Sequence, residues 1–523
     1  MSIKTLRSFV EGKWFAAADG FTPLVDPCTE ATIARASSAG IDFPAALAFA
    51  REKGQAALRE MSFGQRGEML AAVSSALHEH RDELIALSLL NTGATRKDAK
   101  FDIDGGTFTL AHYASLGRTL GDRRYLLDGD GIQLGRSARF WGQHLFFPLS
   151  GAAVHVNAFN FPVWGFAEKA ACALLAGVPV LTKPATSSAM ITERCVEILI
   201  EAKILPEGVL SLICGSTGDL LDRLGPQDVL AFTGSASTAL GLRGKRNLLA
   251  SSTRVNIEAD SLNAAVLGPN VEPGDETWAA FVRDVVREMT QKTGQKCTAV
   301  RRILVSPDRL DAVGDALREE LAQVVTGNPQ DSSVKMGPLA TSQQLEEAVS
   351  GVARLSEQAR LLLGTGERID GVGSEPGKGF FFEPTLLRAD DTDASDVIHE
   401  HEVFGPVATL MGYDATAEGA ADLVARGGGS LVTSIYSDDI EFLGRYIACG
   451  GSSNGRLYLG SKKVAAQLPG SGVALPHVLH GGPGRAGGGH ELAGLTGLQL
   501  YLQRSAVTGD KVLVQRLAGI KHA

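Results

Sequence analysis

Between residues 151 and 242 the chain alternates short apolar runs with longer stretches of helical periodicity. Ala152-Ala153-Val154-His155-Val156 reads as a strand, 162–175 as a helix, Val178-Pro179-Val180-Leu181 as a strand and 186–202 as a helix. Val209-Leu210-Ser211-Leu212-Ile213 and Val229-Leu230-Ala231-Phe232 read as further strands, each followed by a Gly-containing turn and a helix. This α/β alternation predicts a parallel sheet covered on both faces. Ligands of such sheets bind beyond the carboxyl ends of the strands. Asn160, Lys183, Gly215 and Gly234 fall just after predicted strands, at that rim. The stretch 42–99 is expected to be largely helical, with Met69, Val73, Leu77 and Leu84 on one apolar face. A second β–α region runs over 262–480, with strands at Arg302-Ile303-Leu304-Val305 and Val407-Ala408-Thr409-Leu410. Two outlying stretches, 131–149 and 499–513, carry β-type patterns outside both regions.

A length of 523 residues predicts two or three domains. The net charge of −9 argues against nucleic acid as a partner, since that needs a basic face. Cys28, Cys172, Cys195, Cys214, Cys297 and Cys449 are dispersed, with no Cys-x-x-Cys, so neither a zinc site nor a disulfide framework is indicated. The first residues lack a signal-peptide apolar core. The longest apolar stretch, 170–181, is broken by Gly177 and Pro179 and falls short of the roughly 18 residues of a membrane span. A cytoplasmic protein is expected.

The candidate chemistry centres on Cys297, in Gly294-Gln295-Lys296-Cys297-Thr298. Lys296 beside it is expected to favour the thiolate, and Gly294 to allow backbone to approach a ligand. Asn160, in Ala158-Phe159-Asn160-Phe161-Pro162, offers a neutral amide donor for an oxyanion. Glu258, in Asn256-Ile257-Glu258-Ala259-Asp260, offers a carboxylate whose mostly apolar neighbours are expected to raise its pKa toward neutrality. Taken singly, these residues are as readily packing, turn and surface residues. Two other motifs are discounted. Gly482-Pro483-Gly484-Arg485-Ala486-Gly487 spells G-x-G-x-x-G, but Pro483 removes a backbone donor and the glycines that follow start helices poorly. It is read as a flexible loop near an active-site entrance. His399-Glu400-His401-Glu402 lacks the H-E-x-x-H spacing, so no metal is expected.

Together these pieces resemble the aldehyde dehydrogenase superfamily nearly end to end. Asn160-Phe161-Pro162, Lys183-Pro184-Ala185, Phe232-Thr233-Gly234-Ser235, Gly327-Asn328-Pro329, Met336-Gly337-Pro338-Leu339, Glu402-Val403-Phe404-Gly405-Pro406-Val407 and Glu491-Leu492-Ala493-Gly494 occur in the family's order and spacing. Three positions depart from its pattern. Ala259-Asp260 follow the family's Glu where Gly-Gly is common, Phe159 replaces a common Trp, and Ala239 stands where a Gly usually closes the Phe-Thr-Gly-Ser turn. The last suggests an altered cofactor pose.

The resemblance implies a Rossmann-like cofactor domain (1–130 and 150–261), an α/β catalytic domain (262–480), a β oligomerisation arm (131–149 and 497–515) and a Gly-rich active-site segment (481–496). It implies that Cys297 attacks an aldehyde carbon, that the Asn160 amide and the Cys297 N–H hold the oxyanion, and that a nicotinamide takes the hydride. Glu258 then activates water on the thioester, and Lys169 and Glu491 relay its proton away. The implied cofactor contacts are Asn157, Phe159, Lys183, Ala185, Thr186, Gly215, Gly218, Gly234, Ser235, Glu402 and Phe404. NAD-specific relatives commonly carry Glu three residues after this Lys. Thr186 stands there instead, so NADP is expected, with NAD possible but less favoured. The alternative is that Thr186 merely caps the following helix.

Glu258-Ala259-Asp260-Ser261-Leu262-Asn263 and the 480–489 stretch are similar to the bacterial branch acting in CoA-dependent aromatic degradation. Those enzymes oxidise the CoA-bound semialdehyde left by ring cleavage of benzoyl-CoA or phenylacetyl-CoA. The phenylacetate enzyme carries a fused C-terminal hydratase domain, for which this chain has no room, so the benzoyl-CoA branch is expected. A CoA-acylating dehydrogenase is the other alternative, and Glu258 counts against it. A homodimer or a dimer of dimers is expected.

Overall fold

A computed structural model describes residues 3–463 and 469–519. Its first sheet has seven strands in the order Arg254–Glu258, Val229–Thr233, Ala153–Val156, Val180–Lys183, Leu210–Leu212, Ser8–Val10 and Lys13–Phe15. The first five are parallel, as the β–α alternation predicts, and the two N-terminal strands add an antiparallel edge. The strand order reverses between Ala153–Val156 and Val229–Thr233, which opens a crevice at their carboxyl ends. Trp164–Ala176 and Ala189–Glu201 are the expected crossover helices. The former starts where Asp102, fully buried on the helix Arg96–Leu120, accepts the N–H groups of Trp164 at 2.8 Å and Val163 at 3.3 Å. Met69, Val73, Leu77 and Leu84 are all buried in the core against this layer.

The second sheet, also seven-stranded, runs Arg360–Leu363, Thr385–Ala389, Val407–Gly412, Arg302–Val305, Ala264–Leu267, Ser430–Tyr436 and Asn454–Gly460. Only the Arg360–Leu363 edge is antiparallel. The edge strand Arg254–Glu258 leads directly into this sheet through 259–263, so the carboxyl ends of the first sheet's parallel strands meet the amino ends of the second's. A third, antiparallel sheet joins Leu126–Gln133, Phe140–Pro148 and Leu502–Asp510. The outlying β patterns pair with each other there, and Ile132, Phe140, Val512 and Leu513 beside them are exposed. Among the described residues no helix is long and apolar enough to cross a membrane.

Candidate active site

Cys297 lies in the loop between the helix Glu276–Thr290 and the strand Arg302–Val305. The approach to it is a left-handed run, with φ of 57° at Lys292, 58° at Thr293 and 66° at Gly294. Two non-glycine residues in that region imply that surrounding contacts over-determine the loop. Those contacts are visible. Asn263 donates to the carbonyls of Cys297 at 2.8 Å and Ala299 at 2.9 Å, and Arg301 donates to those of Gly294, Lys296 and Gly405. A Cβ on Gly294 would stand 2.2 Å from the Gly405 carbonyl. Gly294 is therefore required by backbone meeting backbone, not backbone meeting ligand as its place beside Cys297 had suggested.

Lys296 does not face the sulfur. Its side chain is buried, with Nζ 2.6 Å from Glu288 and 2.8 Å from Gln291 Oε1. The expectation that it supports the thiolate is corrected, because the backbone at Lys296 sends its side chain the other way, into a buried ion pair. The nitrogen that does face the sulfur belongs to His480, whose Nε2 is 3.9 Å from Cys297 Sγ and 3.3 Å from Glu258 Oε2. The facing atoms of Cys297, His480 and Glu258 all lie within 4.8 Å of one another.

His480 arrives there on a hairpin. The strands Leu479–Gly481 and His490–Leu492 pair antiparallel, with His480 directly opposite Glu491. Cross-strand partners share a face, so the pair sets both side chains toward Glu258. The glycines between them let the hairpin sit on the strand Arg254–Glu258. A Cβ on Gly487 would be 2.2 Å from the Ile257 carbonyl, and one on Gly489 2.4 Å from it. Ala259 N–H donates to Ala486 O at 3.2 Å, closing the contact. The 481–489 stretch is thus a packed wall of the site and not a flexible loop. The glycines mark close approach of backbones.

Glu258 itself is 2% exposed, and its Oε1 has no hydrogen-bond partner. Burial would raise it, but the His480 imidazole, with Lys169 behind it, outweighs burial and holds Glu258 below the ordinary carboxylate range. The expectation of a raised pKa fails because the neighbours that matter come from distant chain segments. His480 responds in the opposite sense. Burial disfavours its charge, yet Glu258 and Cys297 raise it well above the usual imidazole value. The Cys297 thiol is pushed up to about 12 by burial and the Glu258 carboxylate, with His480 pulling against them. The resting centre is accordingly a thiol beside an imidazolium–carboxylate pair.

Behind Glu258, the helix Trp164–Ala176 contributes Lys169, buried at 3% exposure rather than on a helix surface. Its Nζ is 3.2 Å from Glu491 Oε2 and 3.3 Å from Glu168 Oε1. Asn256 donates to the other Glu491 oxygen at 2.9 Å. Carboxylate oxygens of Glu168, Glu258 and Glu491 lie within 4.8 Å of one another. Burial and its acidic neighbours raise Glu168, while Lys169 lowers it. Lys169 stays protonated because Glu491, Glu168 and Glu258 overcome its burial. Sequence reading named Lys169 and Glu491 but missed Glu168 and His480. The only available signals were adjacency to Lys169 and membership of the 480–489 stretch.

Asn160 lies across the Cys297 loop, with Nδ2 donating to Gln295 O at 3.0 Å, so one of its two amide hydrogens stays available.

The model for the aldehyde dehydrogenase family matches residues 14–501. The chain belongs to the aldehyde dehydrogenase family. It is 44% identical over 478 residues to the 3,4-dehydroadipyl-CoA semialdehyde dehydrogenase of Aromatoleum evansii, covering 91% of this chain and 93% of that protein. Among solved structures, betaine aldehyde dehydrogenase from Staphylococcus aureus in complex with NAD+ superposes with a TM-score of 0.83 at 23% identity, over 96% of this chain and 94% of that one. 3,6-Anhydro-L-galactose dehydrogenase gives a TM-score of 0.83 at 23% identity, over 97% and 100% of the two chains. These last two establish the fold.

Aldehyde dehydrogenases need a nicotinamide cofactor, and the crevice of the first sheet can be tested for one. Asn157 Oδ1 and Thr233 Oγ1 are buried there without a hydrogen-bond partner, one on each side of the strand-order reversal. Lys183 ends the next strand, and its ammonium is held below its usual range by burial, with Cys214 the one opposing influence. Orphaned polar atoms and an uncompensated cation fit an anionic, hydrogen-bonding ligand. Ser235 caps the helix Ala236–Arg243, accepting from Thr238 N–H, and Gly234 packs against the Phe232 ring. Ala185 precedes the short turn Thr186–Ser188, and Ala189–Glu201 starts from Ser188 without a side-chain cap. Thr186 thus does not cap that helix.

Gly215 and Gly218 abut Ser38 and Phe43, which already demand glycine. Ala239 is buried inside the helix Ala236–Arg243 and lies outside the turn, so the altered pose inferred from it loses its basis. Phe159 and Phe404 meet edge-on at 6.0 Å. Glu402 accepts from Ser261 N–H at 3.0 Å and Arg301 Nε at 3.2 Å. His399 Nδ1 lies 2.9 Å from the Arg302 guanidinium, so a cation already occupies the approach to that ring.

Proposed function

We propose that this aldehyde dehydrogenase oxidises a CoA-linked semialdehyde, 3,4-dehydroadipyl-CoA semialdehyde, to the carboxylic acid in aerobic benzoate catabolism, using NADP in preference to NAD. The observation that carries the reading is a buried carboxylate, Glu258, within 4.8 Å of the Cys297 sulfur. A carboxylate so placed can activate water against a Cys297 thioester, which favours release of free acid over transfer to CoA. The identity to the Aromatoleum evansii enzyme supports the substrate.

In this reading Cys297 is the nucleophile and forms a thiohemiacetal. The free Asn160 amide hydrogen and the Cys297 N–H stabilise its oxygen. When bound, the oxidised nicotinamide accepts the hydride. Asn157, Phe159, Lys183, Ala185, Thr186, Gly215, Gly218, Gly234, Ser235, Glu402 and Phe404 would hold that cofactor, Lys183 and Thr186 at the 2′-phosphate. Glu258 takes a proton from water in deacylation. Lys169 and Glu491, bridged at 3.2 Å, carry it away. The 1–130 and 150–261 segments act as the cofactor domain, 262–480 as the catalytic domain and 481–496 as the Gly-rich active-site segment. The three-stranded sheet and its exposed apolar residues act as a dimer-forming arm, in a cytoplasmic enzyme.

The test is a product assay with the CoA-linked semialdehyde, each cofactor, and added CoA or none. Free acid at equal rates with and without CoA is expected, with higher kcat/KM for NADP. A new thioester that requires CoA would overturn the hydrolytic reading. A preference for short free aldehydes, or for the phenylacetate-pathway semialdehyde, would overturn the substrate.

A further inference from the structure

We infer that His480 is a catalytic residue of this aldehyde dehydrogenase, a single imidazolium that pairs in turn with the Glu258 carboxylate and the Cys297 thiolate. The inference rests on Cys297 and Glu258 acting as proposed above.

Nε2 of His480 faces Glu258 Oε2 at 3.3 Å and Cys297 Sγ at 3.9 Å. One N–H can serve either acceptor, and the ring is 5% exposed, so water does not compete for it. Hairpin pairing fixes the backbone that carries the ring.

The reaction demands two anions at this spot, but not together. At rest the thiol is protonated and Glu258 is charged. Activation breaks the S–H bond, the proton bonds to a Glu258 oxygen, and the sulfur becomes the anion. The thiolate electron pair forms the S–C bond while the carbonyl π pair moves onto oxygen. Hydride leaves to the oxidised cofactor of the established reaction, giving a thioester. Glu258 then releases its proton toward Lys169 and Glu491 and is charged again. Water gives its proton to Glu258 as its oxygen bonds to the acyl carbon, and sulfur leaves as thiolate. With His480 protonated beside whichever anion is present, the three groups together stay neutral at rest, on activation and once Glu258 recharges. Without it, each of those stages holds a buried anion with no cation in direct contact, which low-dielectric surroundings disfavour.

The other cations near the three groups make their contacts elsewhere. Lys169 is engaged by Glu168 and Glu491. Arg301 is engaged by Glu402, and Lys296 by Glu288. Arg456 donates to the carbonyls of Ser471 and Val473.

The experiment measures alkylation of Cys297 by iodoacetamide against pH, without cofactor, with the labelled peptide identified by mass. In Glu258→Gln the imidazolium has only the thiolate to pair with. Its alkylation midpoint is expected below the roughly 8.5 of a free thiol. In Glu258→Gln/His480→Gln the midpoint is expected to rise by at least about one pH unit. His480→Gln alone should lower kcat by roughly a hundredfold or more while cofactor binding persists. His480→Asn is a second neutral replacement in the same comparison. Superimposable profiles with and without His480, or a Glu258→Gln midpoint at or above the free-thiol value, would overturn the inference, and the latter needs no folded His480 variant. Turnover retained by Cys297→Ala would instead sink the reading on which it rests.

Discussion

Replacing Lys296 with Met separates two accounts of the residue beside the Cys297 sulfur. The side chains of Lys296 and Glu288 are both 1% exposed, and their charged atoms are 2.6 Å apart. Breaking a buried pair by removing one partner costs about 3–5 kcal/mol, because the other charge is left desolvated. Glu288 would keep Arg287 at 3.6 Å, but that guanidinium also serves Asp284 at 2.9 Å. The lower end of the range, about 3 kcal/mol, is therefore expected. At about 2–4 °C per kcal/mol for a unit of 150–250 residues, the melting midpoint should fall by roughly 6–12 °C. Lys296→Met/Glu288→Leu should recover more than half of the loss, since no buried charge is then orphaned. Differential scanning calorimetry gives the midpoints, and iodoacetamide labelling of Cys297 across pH gives the thiolate's state in the folded single variant. An unchanged midpoint with a labelling profile displaced by a unit or more would show that Lys296 acts on the sulfur and would refute the ion-pair reasoning.

Cys297→Ala should abolish turnover and leave cofactor affinity intact; more than roughly a percent of wild-type activity would be incompatible with a covalent nucleophile. Glu258→Gln should keep a pre-steady-state burst of reduced cofactor, because the thiolate still forms beside His480, while steady turnover collapses; loss of the burst would show that Cys297 cannot be activated without Glu258. Thr186→Glu should swing kcat/KM toward NAD by repelling a 2′-phosphate, and no swing would mean that Thr186 does not set the preference. Gly487→Ala should lower stability by roughly 1–3 kcal/mol, because φ is +106° and the new Cβ meets the Ile257 carbonyl at 2.2 Å. It should lower kcat far more than cofactor affinity, and a variant with wild-type kcat would show that the hairpin does not hold His480 and Glu491 in register.

Four of the seven strands in the first sheet were legible, because strands buried on both faces are uninterrupted apolar runs and the helices between them are amphipathic. Ala153–Val156 and Val229–Thr233 fall within one residue of their predicted runs. Cys297, Glu258 and Asn160 were legible because each sits in a short motif at a strand end or loop. The N-terminal strands Ser8–Val10 and Lys13–Phe15 were not seen, since three-residue edge strands carry too little pattern, nor was the edge strand Arg254–Glu258, whose Arg, Asn and Glu break the apolar run. What local sequence could not give is direction. Lys296 is adjacent to Cys297 along the chain, yet its ammonium ends in another ion pair. His480 is 183 residues away, yet its ring nitrogen faces the sulfur at 3.9 Å. Likewise the apolar neighbours of Glu258 in sequence suggested a raised carboxyl, while an imidazole and an ammonium from two other segments lower it. Sequence determined which groups are present and which elements carry them. Only the tertiary structure decided which charges meet, because a pKa answers to the few ångströms around a group and not to its position in the chain.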